Sequence, residues 1–260
     1  MAAEVADIAD RLRVDIVRMA GEPVGAHVGG SLSCADIMAV LHFGVMGTDD
    51  TFVLSKGHAA PALYATLAER GDIDRDELDG YARPGSRLFG HPPRTLPGVE
   101  FATGSLGHGL SLGIGLALAA QLDGSHGRVF VLLGDGELQE GSVWEALMYA
   151  GHRGLSNLVA VIDRNGLQIT GATEDTVTLE PLEAKLSAFG WTARTVDGHD
   201  HAALEAALRP SQDGPVAVIA CTQKGHGVPF LAGRVSSHYV KLRPALIQRA
   251  VAGLKARAER

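Results

Sequence analysis

An acidic residue flanked by two glycines follows an apolar run that has the composition of a buried strand. The run ends at Leu133, and Gly134, Asp135 and Gly136 come directly after it. Glycine lets the backbone approach a ligand closely, and the ligands of open α/β sheets bind beyond the carboxyl ends of the strands. Asn165 follows the next apolar run in the same way, so we expect it to lie beside Asp135.

These two side chains offer the oxygen ligands that hard cations prefer. A carboxylate, an amide oxygen, a backbone carbonyl and two phosphate oxygens together suit octahedral Mg²⁺. The pattern therefore predicts a metal site that is completed only when a diphosphate binds. The simpler alternative is that residues 134–136 form an ordinary tight turn and that Asn165 is a turn residue. The spacing and the flanking residues favour the cofactor site.

Alternating helices and strands must position these residues. Apolar residues at helical spacing predict helices over residues 5–20, 36–45, 61–70, 107–122 (buried), 141–152, 179–189, 200–208 and 240–257, with a helical turn over 74–81. Short apolar runs predict strands over residues 51–55, 128–133, 157–163, 192–196 and 216–221. Prolines predict an irregular stretch over residues 81–101. We therefore predict an α/β fold, an open and mostly parallel sheet with helices on both faces, in a single domain over residues 1–260.

Composition and charge limit the classes of protein. Hydrophobic residues make up 46% of the chain, which is typical of a globular protein. The formal net charge of −7 argues against nucleic acid or an anionic membrane as the main partner. No run is apolar for long enough to span a bilayer, and the N-terminal residues predict a helix rather than a secretory signal. Cys34 and Cys221 lie far apart, so we expect a reducing cytoplasm, without disulfides or cysteine-bound zinc.

The segment that runs from the GDG motif to the asparagine resembles the thiamine-diphosphate signature. It is GDGELQEGSVWEALMYAGHRGLSNLVAVIDRN, in which one helix and one strand join the two motifs. Its LQEGSVWEA part resembles transketolases more than dehydrogenase E1 subunits or decarboxylases. Six further stretches resemble active-site segments of the same family: residues 25–33, 54–58, 88–92, 103–109, 222–229 and 236–238. The resemblance covers nearly the whole chain and implies the N-terminal, diphosphate-binding subunit of a split transketolase.

This resemblance implies a set of site residues. Mg²⁺ would be held by Asp135, Asn165 and the carbonyl of Leu167, and thiamine diphosphate by His58 and His238, with Gly104, Leu106 and Gly136 along its edge. His27 and His91 would face the hydroxyls of the donor ketose. Glu140, with Glu145, resembles acids that meet across a subunit interface and would act in assembly or activation. The alternative for these two acids is a solvated helix face.

Histidine suits the substrate side of the site for a chemical reason. Cleaving a ketose beside its carbonyl carbon requires the removal of a hydroxyl proton, and histidine titrates near the operating pH. Glycine or proline bounds the loops of His27, His58 and His91, which favours functional roles there. A lone histidine in a loop is usually a surface group, and we predict this for His42, His126, His152, His199 and His201. The segment from His199 to His201 is interpreted as a helix cap rather than a metal-binding pair.

The resemblance also implies that this chain holds only part of the enzyme. In this family a glutamate of a second, pyrimidine-binding domain activates the cofactor. We therefore expect the pyrimidine-binding and C-terminal domains on a partner subunit, in an assembly of two copies of each chain. The pair would transfer a two-carbon ketol unit from a ketose to an aldose. Val28 and His108 replace the proline and glutamine of many relatives, so the identity of the sugars stays open.

Other classes of protein fit the sequence less well. Residues 107–113 miss the GxGxxG spacing and no strand is predicted immediately before them, which argues against a nucleotide-binding dehydrogenase. No lysine is followed by serine or threonine, which excludes a P-loop kinase. A non-catalytic or regulatory module that binds thiamine diphosphate stays open as the alternative. The presence of His27, His58 and His91 argues against it.

Overall fold

The structure, a computed structural model, describes residues 2–211 and 213–258. The strands are β1 (Thr51–Leu54), β2 (Val129–Gly134), β3 (Leu158–Arg164), β4 (Thr192–Asp197) and β5 (Val216–Cys221). The helices are α1 (Ala2–Met19), α2 (Val28–Ser33), α3 (Ala35–Val40), α4 (Ala60–Arg70), α5 (Gly109–Leu122), α6 (Gly141–His152), α7 (Thr173–Thr176), α8 (Leu182–Ala188), α9 (His201–Ala207) and α10 (Pro244–Ala258). Short 3₁₀ helices cover Gly57–Ala59, Arg75–Gly80, Gly136–Gln139 and Val235–Ser237, and a π turn covers Leu41–Val45. Among the described residues, no helix is both long and apolar enough to cross a bilayer.

The strands form one parallel sheet in the order β1-β2-β3-β5-β4. The register places the ends of neighbouring strands together, because Leu54 pairs with Leu132 and Gly134 pairs with Asp163. Parallel strands end at the same edge of a sheet, so the segments that follow β1, β2, β3 and β5 leave it side by side. The predicted fold class, an open parallel α/β sheet with helices on both faces, is confirmed.

Side chains of the central strands alternate between two hydrophobic layers. On β2, Phe130 and Leu132 belong to the layer that also contains buried residues of α1, α3, α4, α9 and α10. Val131 and Leu133 point to the other face, where α5, α6 and α8 pack. Both faces of each central strand are therefore buried, which explains why these strands are continuous apolar runs in the sequence.

Helix α5 differs from its prediction as a buried helix. Only one of its faces is buried, through residues such as Leu110, Ile114 and Ala117. Leu122 at its end is 88% exposed, and the neighbouring helix α6 exposes Met148. Because nearly every residue of α5 is apolar or small, its sequence carries no periodic signal that separates a buried face from an exposed one.

Proline explains two of the other differences in element boundaries. Helix α8 begins only after Pro181, and α10 begins at Pro244, because proline is favoured at a helix start and excluded from its interior. Residues 25–33 were predicted as a loop but contain the short helix α2. Residues 81–101, all of them described, contain neither helix nor strand, as their prolines predicted.

Helix α6 lies very close to the turn that leads into β4. A Cβ atom on Gly151 would fall well inside van der Waals contact with the carbonyl oxygen of Phe189. Beside this contact, Nε1 of Trp191 donates a hydrogen bond of 2.8 Å to the Leu147 carbonyl of the same helix. The absence of a side chain at Gly151 is therefore what permits the close approach.

We expect Gly151→Ala to lower the free energy of unfolding by about 1–3 kcal/mol, because the added methyl group must displace backbone. Gly253→Ala is the matched control. Gly253 lies in α10 with open space around it, so alanine should stabilise the protein there by about 0.4–1 kcal/mol. Urea unfolding followed by circular dichroism measures both changes. Equal effects of the two substitutions would contradict the close packing of α6.

Candidate active site

Polar side chains converge where neighbouring strands of the sheet end. Lys56 and His58 follow β1, Asp135 follows β2, Asn165 follows β3 and Lys224 follows β5. The strand order places these segments along one edge of the sheet. His58, Asp135 and Lys224 line a cavity of about 370 Å³ at this edge. The cavity therefore occupies the position at which open α/β sheets bind their ligands.

A buried ion pair lies beneath the cavity. Nζ of Lys56 contacts the Asp163 carboxylate and donates a hydrogen bond of 2.9 Å to the Gly30 carbonyl, and the two charged side chains are only 1% and 0% exposed. Asp163 also accepts hydrogen bonds from the hydroxyls of Ser33 and Thr222. Burial alone would raise the pKa of Asp163, but Lys56 and these hydroxyls hold that pKa below its ordinary value. The pair is therefore charged and joins the ends of β1, β3 and β5 to α2.

The predicted metal ligands lie beside this pair. Oδ2 of Asp135 accepts hydrogen bonds from the Gly166 amide at 2.6 Å and from Arg164 at 3.2 Å. Oδ1 of Asn165 accepts from the Leu167 amide at 3.1 Å. The Gly166 contact brings the turn after β3 against the turn after β2. Asp135, Asn165 and Leu167 thus lie on two turns that contact each other, and their carboxylate, amide and carbonyl oxygens are a donor set that fits Mg²⁺.

The charges around Asp135 also fit a bound cation. Burial raises the pKa of Asp135, and the neighbouring carboxylate of Asp163 raises it further; together they outweigh the opposing effects of Arg164 and the Gly166 amide. The Leu167 carbonyl accepts a hydrogen bond of 3.0 Å from Nζ of Lys224, so this oxygen already faces positive charge. A divalent cation would stabilise the ionised form of Asp135 against the cost of burial.

Most of the predicted site residues line the cavity: His58, Gly104, Leu106, Asp135, Gly136, Glu140, Leu167 and His238. The structure adds Lys224 and Gln168 to this wall. Oε1 of Gln168 is buried without a hydrogen-bond partner among the described atoms. Burial and the nearby Lys56 lower the pKa of Lys224 to about 8, so its ammonium is mostly protonated at neutral pH. A basic side chain next to oxygen ligands in the same cavity fits a diphosphate with its metal.

His27 stands at the centre of a group of aromatic rings next to the cavity. Its ring centroid lies 5.7 Å from that of His58, 5.6 Å from His91, 5.3 Å from His238 and 5.0 Å from Tyr239. His27 and His91 are not among the residues that line the cavity, but His58 and His238 are. The structure therefore brings the four predicted histidines together, with His27 and His91 in an outer layer.

Two of these histidines are neutral at physiological pH. Burial, helped by repulsion from His91 and Lys224, lowers the pKa of His27 to about 4. Burial and the Lys224 ammonium likewise lower the pKa of His238 to about 4. A neutral imidazole has one nitrogen free to accept a hydrogen bond or a proton. His27 can therefore accept from a hydroxyl of a bound ligand, whereas Nδ1 of His238 faces the Lys224 ammonium at 3.3 Å, which leaves Nε2 of His238 to donate to an anionic ligand.

Glu137 connects two walls of the cavity and was not predicted from the sequence. Its carboxylate accepts hydrogen bonds from the amides of Gly107 at 3.0 Å and Gly134 at 3.1 Å, and from the Ser55 hydroxyl. The residue is 1% exposed, and burial raises its pKa. Its place directly after Gly136 is the one signal in the sequence that could have identified it. Lys224 carried a similar signal, because it lies inside the recognised stretch 222–229.

Three histidines that were predicted to be surface groups are bound within the fold instead. The ring of His42 packs edge-on against Phe52. His199 and His201 both contact the carboxylate of Asp36, and each side chain is less than a fifth exposed, at 18% and 17%. Asp36 belongs to α3, far away in the sequence, so no local pattern could predict these contacts. The interpretation of this segment as a helix cap is correct, because the intervening Asp200 accepts hydrogen bonds from the first amides of α9.

Comparison with known proteins agrees with this geometry. The family described as "Transketolase, thiamine diphosphate binding domain" matches residues 2–256. The chain belongs to this family, as the sequence resemblance predicted.

Among curated relatives, the 6-deoxy-6-sulfo-D-fructose transketolase subunit of Clostridium sp. (strain MSTE9) is 43% identical over 88% of this chain and 88% of its own length. One of the apulose-4-phosphate transketolase subunits of Phocaeicola vulgatus is 39% identical over 88% of this chain and 86% of its own length.

Solved transketolases share the fold but are much longer. The transketolase of Campylobacter jejuni superposes with a TM-score of 0.88 and 29% identity, over 99% of this chain and 42% of its own. The Leishmania mexicana enzyme gives a TM-score of 0.87 and 32% identity, over 100% of this chain and 41% of its own. The chain therefore spans less than half the length of these transketolases, while it matches most of the length of the separate subunits.

The lowered pKa of His27 predicts how stability depends on pH. An ordinary histidine titrates near 6.5, whereas folded His27 titrates at about 4, so between these values the unfolded chain binds more protons. The free energy of unfolding therefore falls as the pH drops from about 6.5 to about 4. We expect this fall to be shallower in His27→Asn than in the parent. Urea unfolding at a series of pH values measures it, with His152→Asn as the control for removing an exposed histidine. Parallel curves for parent and His27→Asn would contradict the assignment.

Proposed function

We propose that this chain is the N-terminal subunit of a two-component transketolase. It binds thiamine diphosphate and Mg²⁺ and, with a partner subunit, transfers a two-carbon ketol unit from a ketose to an aldose. The observation that carries this proposal is the edge of the sheet at which Asp135 and Leu167 line the cavity together with Lys224, while Asn165 bonds to the Leu167 amide from just outside the lining. Relatives that are named as transketolase subunits over most of their length support it.

Each side of the cavity would hold one part of the cofactor. Asp135, Asn165 and the Leu167 carbonyl would hold Mg²⁺, and His58 and His238, together with Lys224, would hold the diphosphate. Gly104, Leu106 and Gly136 would border the rest of the cofactor. Bound thiamine diphosphate supplies a carbanion-stabilising centre, which protein side chains lack.

The outer histidines would act on the sugar. His27 is neutral at physiological pH, since its pKa is about 4, so it can accept a hydrogen bond from a ketose hydroxyl. The ring centroid of His91 lies 5.6 Å from that of His27, so His91 can bind a neighbouring hydroxyl. These two side chains would orient the donor and help to move the hydroxyl proton when the bond beside the carbonyl breaks. Because His27 packs against both His58 and His238, the sugar would bind directly beside the cofactor.

The sugars are proposed only by class. The names of the two curated relatives cite 6-deoxy-6-sulfo-D-fructose and apulose 4-phosphate, which both carry an anionic group. We therefore favour ketose and aldose substrates with a phosphate or a similar anion. The partner subunit would contact that anionic end.

The proposed assembly contains two copies of this chain and two of a C-terminal transketolase subunit. That partner would bring the pyrimidine-binding domain and the activating glutamate. Exposed apolar side chains on α5 and α6 support an interface on this face, since Leu122, Met148 and Tyr149 are 88%, 56% and 42% exposed. Glu140 and Glu145 lie on the same side and are exposed in the single chain. Glu140 also lines the cavity, so it would act in assembly or activation.

The setting that we propose is the cytoplasm. Cys34 and Cys221 are both free thiols in the described structure, which suits a reducing compartment. The main alternative function is a module that binds thiamine diphosphate without catalysis. The site residues would then bind the cofactor in the same way, and only turnover separates the two functions.

Calorimetry tests the proposed function. The chain is titrated with thiamine diphosphate and Mg²⁺, alone and with a candidate partner, a C-terminal transketolase subunit encoded near it, and ketol transfer is assayed in the same samples. We expect weak binding alone, and tight binding with turnover in the mixture. Asp135→Asn should weaken binding in the mixture at least about tenfold, because it removes the charged metal ligand.

The exposed Asp79→Asn controls for the loss of an acidic charge. Absence of binding in both samples, with Asp135→Asn indistinguishable from the parent, would refute the cofactor assignment. Tight binding without turnover would favour the non-catalytic module.

Substitution on the exposed apolar face tests the assembly. We expect Met148→Glu to raise the dissociation constant of the complex at least about tenfold, because it places a charge in an apolar interface. Ala252→Glu is the control, since Ala252 is exposed on α10, on the other face of the sheet. Sedimentation of the mixed subunits measures both. If Met148→Glu assembles as tightly as the parent, this face is not part of the interface.

A further inference from the structure

A buried carboxylate outside the cavity binds two histidines and an arginine. Asp36 of α3 is 3% exposed, and its carboxylate lies 2.7 Å from Nδ1 of His199 and 2.8 Å from Nε2 of His201. Arg13 of α1 pairs with the same carboxylate. Burial would raise the pKa of Asp36, but the two imidazoles and Arg13 hold that pKa well below its ordinary value. The carboxylate is therefore ionised and can only accept, so both histidine nitrogens must donate to it.

Of these two histidines, His199 also contacts a segment that leads into the active site. Since its Nδ1 donates to Asp36, its Nε2 is the accepting nitrogen, and this accepts a hydrogen bond of 2.9 Å from the Gln223 amide. Its ring also stacks on His226, with 3.6 Å between centroids. Within the described structure, His201 makes no hydrogen bond to the segment that contains Gln223. The two histidines thus share one anchor, but only one of them reaches this segment.

The segment that His199 holds carries a basic group of the cavity. Gln223 directly precedes Lys224, whose Nζ donates to the Leu167 carbonyl at 3.0 Å and lies 3.3 Å from Nδ1 of His238. On the other side of Gln223, the Thr222 hydroxyl donates to the buried Asp163. A hydrogen bond to the Gln223 amide therefore fixes the backbone from which the Lys224 side chain extends.

The same cluster has the composition of a metal site, because ligand atoms of Asp36, His199 and His226 lie within 4.8 Å of one another. The hydrogen bonds argue against a metal. Both nitrogens of His199 are already engaged, and Arg13 pairs with the carboxylate that a cation would need. Nε2 of His226 faces the Arg257 guanidinium at 3.2 Å. The positive charge of two arginines disfavours a divalent cation at this position.

We infer that His199 is a positioning residue for cofactor binding. Asp36 sets its tautomer, and its Nε2 holds the Gln223 amide so that Lys224 extends into the cavity towards the diphosphate. The inference rests on the proposed function for the identity of the ligand. It extends that function by assigning a role to a network that lies outside the cavity and contacts no ligand there.

Two substitutions separate the two hydrogen bonds of the His199 ring, the one that it donates to Asp36 and the one that it accepts from the Gln223 amide. The amide nitrogen of His199→Asn can replace Nδ1, so this variant keeps the donor to Asp36 and loses the acceptor for Gln223. The amide oxygen of His199→Gln can replace Nε2, so this variant keeps the acceptor and loses the donor. Both variants remove the ring that stacks on His226, so the loss of stacking cancels in their comparison. His201→Asn is the matched control, because it removes a donor to Asp36 without touching the Gln223 segment.

The affinity of the assembled complex for thiamine diphosphate with Mg²⁺ is measured by calorimetry, and the unfolding temperature is measured on the same samples. We expect His199→Asn to weaken cofactor affinity about tenfold, whereas His199→Gln and His201→Asn stay within about twofold of the parent. The unfolding temperature should fall more in His199→Gln and His201→Asn than in His199→Asn, because the first two variants remove a hydrogen bond to a buried charge. A merely structural role of His199 would make affinity and stability fall together. That result, or unchanged affinity in His199→Asn, would overturn the inference.

Hydrogen exchange at the Gln223 amide gives a readout that does not depend on the cofactor. We expect faster exchange in ligand-free His199→Asn than in His199→Gln. If the parent complex binds no thiamine diphosphate, the proposed function fails, while the exchange experiment still tests the contact from His199 to Gln223. If His199→Asn does not fold, a folded His199→Gln with weakened cofactor affinity or fast Gln223 exchange would still refute the inference.

Discussion

The ion pair between Lys56 and Asp163 is the interaction on which the rest of the site depends. Removing one partner of such a buried pair typically costs about 3–5 kcal/mol, because the other charge is left uncompensated. Here the pair also has a geometric role. Lys56 follows β1, Asp163 ends the buried part of β3, and the hydroxyls of Ser33 and Thr222 bring α2 and the chain after β5 to the same carboxylate. Four segments of the cavity floor are thereby held by one charged centre.

Charge is distributed over this floor in a way that favours an anionic ligand with a metal. Asp135 is buried near Asp163, and both burial and that neighbour raise its pKa despite the pairing with Arg164, so a further cation would stabilise its ionised form. Lys224 lies next to this region, since its Nζ donates to the Leu167 carbonyl, and burial together with repulsion from Lys56 lowers its pKa to about 8. A cation beside Asp135 and an anion beside Lys224 would relieve both imbalances at once. The histidines add hydrogen-bonding groups without adding charge, since His27 and His238 are neutral at physiological pH.

A second layer of contacts sets the positions of the groups that face the ligand. Glu137 accepts from the amides of Gly107 and Gly134 and so joins the loop before α5 to the end of β2. The Asp36–His199 pair does the same for the segment after β5. Binding sites need such support, because a displacement of about 1 Å in a ligand-binding group can abolish its contribution. The support here comes from backbone amides and buried carboxylates rather than from flexible surface groups.

The sequence by itself determined the five strands and the longer helices along the chain, the fold class, and the residues at the strand ends such as Asp135 and Asn165, because these follow from local apolar patterns and from short motifs. It could not show that α5 has an exposed face, since an almost uniformly apolar helix has no periodic signal, nor that His199 and His201 are bound within the fold. Only the tertiary structure decided the partners of Lys56, Glu137 and His199. The contacts of Lys56 with Asp163, of Glu137 with Gly107, and of His199 with Asp36 and Gln223 join residues 24 to 163 positions apart. Burial makes these contacts decisive by removing the water that would otherwise satisfy the same polar groups.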